Sequence, residues 1–192
     1  MAAPTTRFRT FPNSTATTAV DTAGERLAAI ASQSVISTGA GNELDFSTVD
    51  ISGGAANSGV AHVLWDVTAD GGNTTVSTFL FWLSTNGWDQ AGTVLKFQAV
   101  SGADQGSPSN TENYVADAVV GSYTWATAPE AEPGGANLYP SDEGSDMALS
   151  TTSDDCLFWA EYVAVAASET TGTYKGTDSG YEFQHSLKYS YS

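Results

Sequence analysis

Histidine, cysteine and carboxylate side chains are the groups that most often move protons, attack carbon or hold metals near neutral pH, and the chain has two, one and 22 of them. His62 alternates with the apolar positions of its run, so it is expected at solvent or at a sheet edge. His185 stands among aromatic residues near the end of the chain, and both histidines read as structural rather than as general bases. Cys156 is followed by Leu157, Phe158 and Trp159, the setting of a buried and inert thiol. A single cysteine excludes an internal disulfide framework. Gly-x-Ser-x-Gly elbows, phosphate-binding glycine loops and His-Glu-x-x-His helices are all absent from the sequence.

Carboxylates are plentiful but unplaced. A glycosidase pair needs two acids close in space, which leaves no mark on a sequence without a motif. Asp142, Glu143 and Asp146 fall in one acidic stretch, and Asp154 with Asp155 precede Cys156; both sets offer hard oxygen ligands, but neither has the spacing of a dedicated Ca²⁺ loop. No catalytic residue, metal ligand or cofactor is therefore expected, and the chain is expected not to be an enzyme.

Aromatic residues beside turns are the remaining candidates. Trp88 adjoins the Asn86-Gly87 turn, Trp125 lies near a strand end, and Tyr139 is in the acidic stretch. Such rings can stack on sugars, which makes a carbohydrate-binding or adhesin-like module the alternative reading; folded back, they would cap the ends of the domain.

The elements that must position these groups are mostly strands. Val, Ala, Thr, Ser and Gly are common, and aromatics supply most of the large apolar surface, a mixture that favours sheet over helix. The densest run, Val76 to Val100, contains five consecutive apolar residues, Phe79 to Leu83, and marks a core. Asp70-Gly71-Gly72-Asn73 before it and Asn86-Gly87 within it are turn signals. They predict three consecutive antiparallel strands, with the Ala61 strand paired to the Val76 strand. Tyr114 to Val120 and Tyr123 to Trp125 are further short strand candidates. Cys156 to Val165 is expected centrally in a sheet beside the Val76 run. Tyr181 to Ser192 alternates apolar and polar residues throughout, and is expected to bend across two sheets or to overhang.

Three regions follow: an extended N-terminal arm over residues 1–20, a short helix and linker over 21–50, and a body over 51–192. Capping-box spacing at Thr22 and Glu25, with Leu27, Ile30 and Ala31 on one face, predicts the helix, which ends near Gln33. The arm shows neither helical nor strand periodicity, yet Arg7, Phe8, Arg9 and Phe11 combine charge with aromatic anchors. The fold class is all-β, a two-sheet antiparallel sandwich of possible jelly-roll type.

Charge bounds the partners. The net charge is -16, divided as +1 over residues 1–26 and -17 beyond. A body of that sign repels phosphate backbones and anionic lipid, so neither nucleic acid nor membrane is an expected partner. Residues 1–20 lack the apolar core of a secretion signal, so synthesis in a cytoplasm is expected, and the sequons at Asn13 and Asn73 then carry no weight.

The unsignalled arm Met1 to Val20, the Trp-rich body from Ala61 to Val165, and the closing run Ser186-Leu187-Lys188-Tyr189-Ser190-Tyr191 together resemble small accessory structural proteins of tailed-phage virions. That resemblance implies a non-enzymatic decoration or cement protein in the virion, a homo-oligomer that grips other capsid or tail subunits through its arm and terminal strand. Arg7, Phe8, Arg9 and Phe11 would then be the docking arm. Tyr181, Phe183, Leu187, Tyr189 and Tyr191 would line an augmenting strand.

Overall fold

The computed structural model describes residues 2–11, 34–35, 46, 48–59, 61–88, 90–98, 125–138, 146–149, 156–170 and 183–192. Ten strands run through them: β1 (Thr5–Phe11), β2 (Ser34–Val35), β3 (Ala56–Asn57), β4 (Ala61–Ala69), β5 (Thr75–Asn86), β6 (Val94–Gln98), β7 (Trp125–Thr127), β8 (Asp146–Ala148), β9 (Cys156–Val165) and β10 (Phe183–Tyr191). Among the described residues there is no helix, and every strand pairing is antiparallel. The chain is all-β. The helix expected at Thr22 to Gln33 and the strand expected at Tyr114 to Val120 lie outside the described residues.

The strands form two sheets. The larger has the order β2-β1-β4-β9-β6-β7, with β3 also on β9, and the smaller has the order β10-β5-β8. Strand β9 is central, as its apolar density predicts. It does not neighbour β5, however: the two lie in different sheets and meet through their rings, with Phe81 of β5 5.6 Å from Trp159 of β9. Trp65 likewise touches Phe79 at 5.5 Å and Tyr189 at 4.9 Å, and Phe81 touches Phe97 at 4.9 Å. These contacts put residues of both sheets into one core cluster. Full burial of each large ring stabilises the fold by roughly 1.5–3 kcal/mol.

The Asp70-Gly71-Gly72-Asn73 turn forms, but it does not make the hairpin the sequence predicts. Asn73 N–H donates to the Asp70 carbonyl at 3.1 Å, and Gly71 and Gly72 take positive φ of 65° and 84°. The strands on either side then part into different sheets. Each flank is held by an end of the chain: Ala2 N–H donates to the Gly71 carbonyl at 3.1 Å, while the Ser192 carbonyl accepts from Thr74 and Thr75 N–H at 2.7 and 3.1 Å. Strand β1 therefore pairs with β4, and β10 pairs with β5. Local turn chemistry fixed the reversal, and the ladder partners came from far away in sequence. The Asn86-Gly87 reversal also leads from the smaller sheet to the larger, so the three consecutive strands predicted as neighbours alternate between sheets.

Residues 5–11, read from the sequence as part of an unpatterned arm, are a strand in register with β4, with Phe8 opposite Trp65. One aromatic residue in the Thr6-Phe8-Thr10 row is too weak a local pattern to declare a strand; the edge of β4 supplies the partner. Strand β10 also departs from its expectation. It neither crosses between sheets nor overhangs, because all its registered positions pair with β5.

Candidate interaction edge and buried polar centre

Among the described residues several buried polar side chains have specific partners, while Asn73 Oδ1 is buried without one. Glu161 stands in the run Cys156 to Val165 and is 0% exposed. Its Oε1 accepts from Trp159 Nε1–H at 2.5 Å, and its Oε2 lies 2.8 Å from His185 Nε2. Trp159 and Glu161 are two residues apart on β9 and so project from the same face of the sheet. His185 comes from β10 and stacks on Phe81, with centroids 5.5 Å apart. The three side chains tie the sheets together through a carboxylate that solvent does not reach. His185 is thus held between the Glu161 carboxylate and the Phe81 ring. Its acid was missed, although a glutamate inside an otherwise apolar strand was the signal: a buried charge calls for a partner.

Two side chains act as pieces of backbone. Asn137 Oδ1 accepts from Phe81 N–H at 2.7 Å, and its Nδ2 donates to the Phe81 carbonyl at 2.8 Å. With β8, the Phe79–Leu138 bridge and the Leu83 N–H to Pro129 carbonyl bond, this completes one edge of β5. Ser58 does the same for β9. Its N–H donates to the Val163 carbonyl and its Oγ accepts from Val163 N–H, both at 2.8 Å, where β3 and β4 lie end to end along that strand.

The residues singled out in the sequence fall in several places. Arg7 is exposed on β1, and Phe8 is half-buried with its ring 6.1 Å from Trp159 in an edge contact. Arg9 and Phe11 are positions of β1 registered with Leu64 and His62. Leu187 and Tyr189 turn inward and pack on the core. Tyr191 is 45% exposed, and Phe183 is registered with Asn86. Tyr181, Glu182 and Tyr139 lie outside the described residues, as do Asp142, Glu143, Asp154 and Asp155. Trp88 is half-buried against the core, and Trp125 is half-buried with an edge contact to Tyr162 at 4.8 Å. Among the described residues no three His, Cys, Asp or Glu side chains are grouped to hold a metal.

One long edge is left. Strand β10 pairs with β5 on one side, and among the described residues nothing pairs with its other side. Its register with β5 slips twice, between Gln184 and His185 and between Lys188 and Ser190. Both times the extra residue is on β5, at Ser84 and at Thr78, the latter with φ of 56°. Strand β10 itself stays regular over nine residues. Lys188 is drawn across the outer face of the sheet to Glu132, at 2.6 Å.

No protein-family model matches the chain, and comparisons with curated proteins and with solved structures find no match.

Proposed function

We propose that the protein is a non-enzymatic structural subunit, a capsid-decorating accessory protein of a tailed-phage virion, as the resemblance of its sequence implies. Its two antiparallel sheets form a sandwich of jelly-roll type, and it assembles as a homo-oligomer on a larger protein lattice. The observation carrying this reading is the regular outer edge of β10, unpaired among the described residues. Such an edge presents a row of backbone donors and acceptors that another strand can satisfy, adding cross-links without chemistry. Because Thr5–Phe11 is built into the larger sheet, the main contact is assigned to this edge, and Arg7 is exposed on β1.

The test is to purify capsid-sized particles from cells producing the chain by density gradient and to probe the fractions for it. Co-banding that survives a second gradient is expected. A chain confined to the soluble fractions overturns the reading.

A further inference from the structure

We propose that the first occupant of the β10 edge is a second copy of the same chain, docked antiparallel about a two-fold axis through Leu187. The two smaller sheets then run on as one. This rests on the structural reading above and specifies its oligomer: which strand, which register and which symmetry.

Charge selects the edge. In a chain of net charge -16, two bodies repel over most of their surface. Residues Phe183 to Ser192 contain no Asp or Glu, and the charge of their one lysine, Lys188, is met by Glu132. Two copies therefore meet along β10 with little like-charge repulsion.

Geometry selects the register. A two-fold antiparallel pairing centred on Leu187 is the one that overlaps all of Phe183–Tyr191. It sets Phe183 opposite Tyr191, His185 opposite Tyr189 and Leu187 opposite itself, so the apolar row continues from one copy into the next. On the outer row Ser186 faces Lys188. A centre one residue later sets Lys188 against itself, and a centre one residue earlier loses part of the overlap. Because the extra residues lie on β5, β10 offers an uninterrupted edge of about 30 Å at roughly 3.3 Å per residue. The contact is isologous, so every pair occurs twice.

Sedimentation of the full chain over a micromolar concentration series tests this. The unsubstituted chain is expected to sediment as a dimer. Ser186→Lys sets like charges opposite each other twice per dimer and weakens it about tenfold; Ser186→Glu sets opposite charges and tightens it by a similar factor. Ser186 belongs to the outer row, so neither change enters the core, and if one variant misfolds the other still decides. A chain that stays monomeric throughout, or a dimer indifferent to both substitutions, overturns the proposal. A monomer that still co-bands with particles leaves the structural reading standing without this interface, and a Ser186-sensitive dimer that never co-bands does the reverse.

Discussion

At the residue scale, the buried Glu161 is the most exacting position in the chain. A carboxylate with no exposure is tolerable only while its oxygens are bonded, and Trp159 and His185 provide those bonds from two sheets. Removing one partner is worse than removing both. His185→Leu is therefore expected to destabilise the fold by about 3–5 kcal/mol, and the double variant Glu161→Leu/His185→Leu to recover much of that loss. Urea unfolding of the three proteins measures it; a double variant no more stable than the single one contradicts the account. Tyr162 makes a second residue-scale prediction. Burial raises its phenol above the ordinary value of 10.0. The folded state therefore keeps a proton that the unfolded chain releases, so this contribution is intact below pH 10.0 and is lost as pH rises through the folded value. Tyrosinate absorbance should show a late-titrating contribution that disappears in Tyr162→Phe.

At the scale of elements, the turn at Asp70 to Asn73 does two jobs that its sequence announces only in part. Gly71 and Gly72 supply the positive φ that the reversal requires. Gly71 must also be bare because the chain start lies against it: a β-carbon there would come within 2.5 Å of the Ala2 carbonyl oxygen. Asn73, 3% exposed, donates through Nδ2 to the Ala2 and Asp70 carbonyls at 2.8 and 2.6 Å, so its sequon is closed in the fold. Gly71→Ala is expected to cost about 2 kcal/mol or more, from strain plus displacement of Ala2. Gly72→Ala, with the same sign of φ but open space around it, should cost only the strain. Thermal melts of the pair separate the two effects, and equal losses would show that the contact with Ala2 is unimportant. Thr78 points the other way. A β-branched residue at φ of 56° is strained, and Thr78→Asn is expected to raise stability by about 0.5–1 kcal/mol in the same melts.

At the scale of the molecule, the two ends of the chain are structural members. Strand β1 lies between β2 and β4, β10 closes on β5, and Ala2 and Ser192 meet the same turn. If residues 5–11 were a free arm, Phe8→Ala would leave stability unchanged. Here it is expected to cost about 1–2 kcal/mol, because a half-buried ring leaves its contact with Trp159; a melt indistinguishable from the parent would restore the free arm. Much of this architecture was legible in the residues. The strand-rich composition, the core run Phe79 to Leu83, the central Cys156 to Val165 strand, the turns and the alternating last strand all follow from local pattern and propensity, which act over a few residues. The same locality explains what was not legible. The sequence alone determined which segments are extended and which of their faces are apolar. Only the tertiary structure decided that β4 and β5 part into different sheets, that Thr5–Phe11 is a strand, and that Glu161 meets His185. Backbone donors and acceptors are identical at every residue, so which strand satisfies another is settled by what the whole chain can bring alongside it.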